Sequence, residues 1–228
     1  MGFWLHSSLS VHNKNLNIMK KTVLLLLASI LMGVSGYSQT DGSTDNGIKT
    51  LFGEKPRSHG GYIGLGVGYT QLDGIDAFTT TFRGAWIINH GFAIGISATG
   101  FSNDLYVNHA SGSDYRSLQG GFGGLMLQPI VAPKFPIHVS FPVTLGAGGV
   151  AALSSHYYDA FDATWYVEDE GYFFLVEPGI DVELNLVKFI RVSFGASYRY
   201  TTPLVVDGYG SDAMRGFAGN FTLSFGKF

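Results

Sequence analysis

The chain has 228 residues, with Gly at 32 positions, aromatics at 14%, charged residues at 14% and no Cys. Charged residues usually reach about 25% and Gly about 7%, so this balance argues against a disordered chain and against a helical bundle. The lack of Cys excludes thiolate metal sites, Cys nucleophiles and a disulfide scaffold.

The first element is a targeting segment. Met19-Lys20-Lys21 is basic, Thr22 to Val34 is apolar, and Gly36 and Ser38 are small residues at −3 and −1 of a cut after Ser38. This is the pattern of a secretory signal peptide. A 13-residue core rises only about 20 Å, too short for a spanning helix. Residues 1–38 are therefore read as a signal peptide, with 1–18 as a start-site extension upstream of Met19. Lys14, Lys20 and Lys21 are the only charged residues before position 39, so the remainder carries 11 basic and 17 acidic residues, a net −6. A chain so charged has no basic stripe for nucleic acid. Residues 39–58 are polar and Gly-rich and read as a flexible arm.

From His59 onward the apolar period is two, the period of strands. Eight segments follow: 61–70, 78–89, 92–101, 117–130, 137–150, 172–184, 189–200 and 216–225. In the first, Ile63, Leu65, Val67 and Tyr69 oppose Gly64, Gly66 and Gly68. In the fourth, the run Gly123 to Leu127 interrupts the alternation, and a bulge is expected there. The connections 89–91, 131–136 and 185–188 are short, 71–77 is modest, and 102–116, 151–171 and 201–215 are long. Tight turns at one end and long loops at the other are the asymmetry of membrane barrels.

Charges recur mid-strand on the face opposite the apolar one, at Arg83, Glu177, Asp181, Glu183, Arg191 and Arg199. That face is also rich in Gly, Ser and Thr, as suits a narrow interior. Aromatics collect toward strand ends at Tyr69, Phe92, Tyr198, Tyr200, Phe217 and Phe225, where interfacial girdles lie. The expected fold is thus all-β, an eight-stranded antiparallel transmembrane β-barrel over 59–228, with Ile94, Phe141, Val192 and Leu223 facing lipid. A secreted lipocalin-like barrel is the alternative.

The signal peptide, eight amphipathic strands, uneven loops and terminal aromatic together resemble the small outer-membrane barrels of Gram-negative bacteria, of which the OmpA transmembrane domain and OmpX are familiar types. The Gly-rich first strand and the ending Leu223-Ser224-Phe225-Gly226-Lys227-Phe228 look most like the porin-family barrels common in Bacteroidetes. The resemblance implies a bacterial outer-membrane location, a setting of outer-membrane lipid and lipopolysaccharide, and insertion by the barrel-assembly machinery. One departure concerns the assembly signal: Phe221, Leu223 and Phe225 share a face, and Phe228 falls on the other. Either the last three residues leave the strand or the signal is read from Phe225.

Inside such a barrel a charge must be paired. Asp181 and Glu183 are expected to meet Arg191, and Glu177 to meet Arg199 or Arg83. An eight-stranded barrel is just wide enough for its side chains, so this lumen charge network is read as a structural plug, with a narrow solute pore as the alternative. His138 and Ser140, and His109 and Ser111, have the H-x-S spacing of lipid A deacylases, in which His activates Ser. His138 is expected to point inward and His109 lies in a polar loop, so no catalytic residue is assigned. The segment 156–170 holds five aromatics and five acids. Tyr157, Tyr158, Asp159, Phe161, Asp162, Trp165 and Tyr166 are its candidate binding residues, toward a glycan or protein ligand. A self-packed cover for the barrel mouth is the competing reading. Its acids do not have EF-hand spacing, and neither a metal nor a cofactor is expected. The function expected is non-enzymatic, a structural or surface-interaction role carried by the long outer loops.

Overall fold

The computed structural model describes residues 58–103, 106–108, 114–157 and 163–228. The expected signal peptide, the arm up to residue 57, Tyr158, Asp159, Phe161, Asp162, His109 and Ser111 lie outside the described residues.

Strand β1 (His59–Leu72) opens the barrel and turns into β2 (Ile75–Ile88). The turn is Asp73-Gly74, with φ of 52° and 77°. Both central residues are left-handed, as a two-residue hairpin of matching twist requires, and Asp-Gly is among the dipeptides that adopt it most readily. The connection expected over 71–77 is therefore only this turn. At the other end Asn89 and His90, also at positive φ, lead to β3 (Phe92–Asn103), which β4 (Tyr106–Asn108) follows along the edge of β5 (Asp114–Val131). The segments β6 (Ile137–Ser140) and β7 (Val143–Tyr157) are two parts of one stave, interrupted at Phe141-Pro142. Both pair with β5 and with β8 (Ala163–Val187), and the register runs unchanged across the interruption. Then come β9 (Ile190–Thr201) and β10 (Gly216–Lys227). Every pairing is antiparallel. β10 returns to β1 from Gly61↔Lys227 to Thr70↔Ala218 and closes a ring of eight staves, so no sheet edge is left unpaired along the barrel.

Two further expectations are corrected. No register shift occurs in β5 at Gly123 to Leu127, where both neighbours pair without interruption. The alternation is interrupted in the sequence because Phe122 and Met126 are buried inside, so apolar residues occupy both faces of this strand. Irregularities occur instead where Ala152/Leu153 meets β8 and at Asn185/Val187. The long connection 151–171 is mostly a hydrogen-bonded hairpin, since β7 runs to Tyr157 and β8 starts at Ala163. Thr164 to Val167 are β-branched and aromatic residues that favour extended backbone. Residues 202–215 do form a long connection without strand.

The barrel is turned inside out relative to a soluble one. Large apolar side chains are exposed around the outside, among them Ile63, Leu65, Phe82, Trp86, Ile96, Phe174, Phe194 and Phe217. Ile94 and Phe141 are exposed as expected, while Val192 and Leu223 are half-buried. Rings on β9 and β10 pack together across strands, Phe194 with Phe221 at 5.1 Å and Tyr198 with Phe217 at 4.8 Å. Charged side chains meanwhile are buried: Arg199 and Asp181 are 1% exposed and Glu183 2%. This is the surface of a barrel that meets lipid and not water.

Close packing of strands depends on particular glycines. Gly124 of β5 faces Gly146 of β7. A Cβ on Gly124 would lie 2.1 Å from the Leu145 carbonyl oxygen, and one on Gly146 2.0 Å from that of Gly123. A side chain there must push two backbones apart. Gly124→Val is expected to destabilise the barrel by about 1–3 kcal/mol or more, the usual range for overpacking. Urea unfolding of the folded protein in lipid vesicles measures it.

Candidate functional site

The interior is layered along the barrel axis. At the long-loop end lies an apolar layer made by Leu72, Phe101, Leu118, Phe122, Val150, Phe173 and Leu175. The connection 202–215 folds into this layer and adds Leu204, Val206, Ala213 and Met214. Backbone bonds hold the insert: Leu204 N–H to Ser211 O at 2.9 Å, and Asp73 N–H to Ala213 O at 3.0 Å. Asp169 Oδ2 also accepts from the Asp207 N–H at 2.8 Å. At the short-turn end a second apolar group comprises Tyr62, Ile87, Ala93, Met126 and Ile130, with Phe228 packed against it.

Between the two lies the charged layer. Arg199 Nε donates to Glu177 Oε2 at 2.9 Å, and Arg83 NH1 to Asp181 Oδ2 at 2.6 Å. Arg191 NH1 donates to Glu183 Oε2 at 2.7 Å. Thus the structure brings together all six of the charges singled out in the sequence, as three pairs. Arg83 reaches Asp181 across the lumen and not Glu177. Asp181 and Glu183 do not share Arg191. Three arginines face three carboxylates, so this set is electrically balanced, the condition under which buried ions are tolerated.

Glu183 carries the most contacts. Ser140 Oγ donates to its Oε1 at 2.6 Å and Gln128 Nε2 at 2.7 Å, while His138 Nε2 lies 2.8 Å from Oε2. The Tyr62 hydroxyl extends the network to Gln128 Oε1 at 2.5 Å. Arg191 is fixed further by Nε to Asn185 Oδ1 at 2.8 Å. Gln128 and Tyr62 are not singled out in the sequence: Tyr62 shares the face of Gly64 and Gly66, whereas Gln128 follows the interrupted run Gly123 to Leu127, which leaves its face unreadable. The guanidinium groups at the two ends of the layer stack on rings of the apolar ends, Arg199 over Phe122 at 4.5 Å and Arg191 over Phe228 at 3.9 Å. Cation–π contact of this kind is strongest when water is excluded. Phe228 therefore belongs to the interior, and Phe225 is the last outward aromatic.

The space left in the charged layer is a cavity of about 30 Å³ bordered by Arg83, Asp181, Arg199 and Asn220. That volume suits one or two water molecules. Arg83 Nε, Asp181 Oδ1 and Asn220 Oδ1 are buried there without a protein partner, and each is suited to a water bridge.

His138 and Ser140 are both turned toward Glu183, and His138 Nδ1 lies 3.2 Å from Phe135 O. The Ser140 hydroxyl donates to a carboxylate and no imidazole nitrogen takes its proton, so the pair lacks the arrangement of an activated nucleophile. At the long-loop rim, Tyr166 is exposed. Tyr157 and Trp165 lie on the β7–β8 hairpin, Tyr157 opposite Ala163 and Trp165 opposite Ser155. Among the described residues no group of His, Asp and Glu is placed to hold a metal ion.

No family model matches the chain, and no curated protein matches it. Solved structures do. A major outer membrane protein of Thermus thermophilus has a TM-score of 0.50 at 8% identity, covering 73% of this chain and 98% of that one. Neisserial surface protein A has a TM-score of 0.42 at 11% identity, covering 76% and 100%. The attachment invasion locus protein Ail of Yersinia pestis, solved with the heparin analogue sucrose octasulfate, has a TM-score of 0.37 at 13% identity, covering 74% and 96%. With its closed ring of eight antiparallel staves, apolar outside and charged within, the chain has the fold of the small bacterial outer-membrane β-barrels.

Proposed function

We propose that the protein is a non-enzymatic outer-membrane barrel whose lumen is plugged and whose work is done at its long-loop rim. The observation that carries this reading is the filling of the interior. Two apolar layers enclose a balanced set of ion pairs, leaving space on the scale of a water molecule. A solute path needs a polar passage through both ends, and here Phe122, Phe173, Leu204 and Met214 close one of them.

The rim has a chemical bias. Among the described residues Asp73, Asp76, Asp114, Glu168, Asp169, Glu170, Asp207 and Asp212 stand at this end, against Arg116 and Arg215. A polyanion of the kind solved with Ail fits such a rim poorly. A neutral glycan stacked on Tyr166 and its neighbours, or a protein with a basic face, fits it better. The barrel faces acyl chains laterally and lipopolysaccharide at the rim.

The hairpin tip is separable from the barrel, because loops tolerate change when the core beneath is self-sufficient. Replacing residues 155–165 with Asn-Gly, together with Tyr166→Ser, is expected to leave heat-modifiable migration on an SDS gel intact while reducing retention of the folded protein on a glycan array or on immobilised basic proteins. Unchanged retention would leave the tip only a cover for the mouth. Loss of the folded band would make the hairpin part of the barrel's own core.

A further inference from the structure

Outward charge is segregated along the barrel. Among the described residues, exposed carboxylates such as Asp73, Asp76, Glu170 and Asp212 stand at the long-loop end. At the short-turn end the exposed charged side chains are Lys134, Lys188 and Lys227, and no described Asp or Glu is exposed there. Among the described residues none of the three lysines makes an ion pair.

These lysines stand on successive parts of the rim, the β5–β6 turn, the β8–β9 turn and the end of β10. Asn185 ties the end of β8 to the turn that carries Lys134, through its N–H to Pro136 O at 2.9 Å and its Nδ2 to Phe135 O at 3.4 Å. Gly226 N–H bonds Phe189 O at 3.0 Å, which brings Lys227 beside Lys188. Neighbouring like charges repel, and an anion between them removes the repulsion. Among the described residues the rest of this rim, where β1 begins beside Lys227 and Trp86 packs on His59 at 5.3 Å, then Asn89 and His90, carries no lysine. The lysine sector also exposes large apolar side chains: Phe135 at 66%, Phe189 at 60% and Leu186 at 59%. In water such turns would be a liability. At a membrane surface they sit in the acyl region while the ammonium groups reach the headgroups.

We propose that this part of the rim binds the headgroups of anionic phospholipids of the adjoining leaflet, with Lys134, Lys188 and Lys227 on their phosphates and Phe135, Leu186 and Phe189 against the acyl chains. The inference rests on the membrane-spanning reading of the barrel. Ammonium groups bind phosphate as point charges, and a lysine at an anionic membrane surface contributes enough for about a fivefold change in affinity.

The test is native mass spectrometry of the folded protein released from detergent micelles holding equal phosphatidylglycerol and phosphatidylcholine. Wild type is expected to retain phosphatidylglycerol in preference. Each single Lys→Gln change should reduce that preference about fivefold, and K134Q/K188Q/K227Q should remove it. The K134R/K188R/K227R variant should keep it. Equal retention of the two lipids by wild type, or an undiminished preference in the triple Gln variant, would overturn the inference. So would displacement of the lipid by inorganic phosphate at constant ionic strength with the same lysine dependence, which would assign the sector to the free anion. Heat-modifiable migration is scored separately on every variant. Failure of wild type itself to fold into bilayers would remove the membrane reading, whereas folding without lipid preference would remove only this site.

Discussion

Arginine at Leu65 or Ile96 is expected to destabilise the barrel by about 2–4 kcal/mol in a bilayer, the cost of a cation on the lipid face near the midplane. Both positions lie mid-strand, and their side chains are 64% and 60% exposed. In a soluble barrel an exposed aliphatic side chain replaced by Arg changes stability by no more than about 0.5 kcal/mol. The same substitution therefore separates the two environments by its size alone. Folding titrations into phosphatidylcholine vesicles, with urea as denaturant, read the difference. Phe141→Arg should behave similarly. Lys188→Arg, at the headgroup level, should be close to neutral. Unimpaired folding of all the lipid-face variants would mean that this face meets water.

Loss of Glu183 is the other large effect expected. Its carboxylate takes hydrogen bonds from Ser140, Gln128 and Arg191 and lies against His138. Glu183→Ala leaves the Arg191 guanidinium buried with no counter-ion, and breaking one side of a buried pair typically costs about 3–5 kcal/mol. Glu183→Gln keeps the shape and part of the hydrogen bonding, so its loss should be smaller. Adding Arg191→Met to Glu183→Ala should recover much of the stability, because the unpaired charge is then gone. The double-mutant cycle, measured by urea unfolding in vesicles, decides this. Equal losses for the Ala and Gln variants, with no recovery in the double variant, would mean that the pair contributes packing and not charge balance.

The strands were the most legible part of this chain. Period-two alternation marks a strand whichever face is buried, so all eight staves, from 61–70 to 216–225, are legible in the sequence. Choosing the outward face needed the charges. Arg83, Glu177, Asp181 and Arg199 sit mid-strand on one side, and only a confined interior gives them partners. The partners themselves were less readable. Arg191 and Glu183 lie close across the β8–β9 turn, so local register was enough. Arg83 and Asp181 meet across the lumen from staves that do not touch, and no one-dimensional pattern encodes that distance.

Two other features were hidden for different reasons. The insert 202–215 reads as loop because Pro203, Gly208 and Gly210 interrupt it. Yet Leu204 and Val206 are buried with Val205 fully outward between them, a short alternation that was present to be read. The Asp73-Gly74 turn carried one of the strongest hairpin dipeptides, while the flanking residues made it look like a longer loop. The candidate rim residues were chosen for chemistry, and chemistry alone does not place them. Of the seven, Tyr157, Trp165 and Tyr166 fall on the β7–β8 hairpin.

The claim of a sealed barrel is met most directly by planar-bilayer recording of the purified, folded protein. Two apolar layers about a neutral set of ion pairs predict a silent bilayer, with no discrete conductance steps across a range of applied voltage. A stable open channel, with a conductance altered by Arg199→Ala or Glu177→Ala, would contradict it and make the charged layer the wall of a pore.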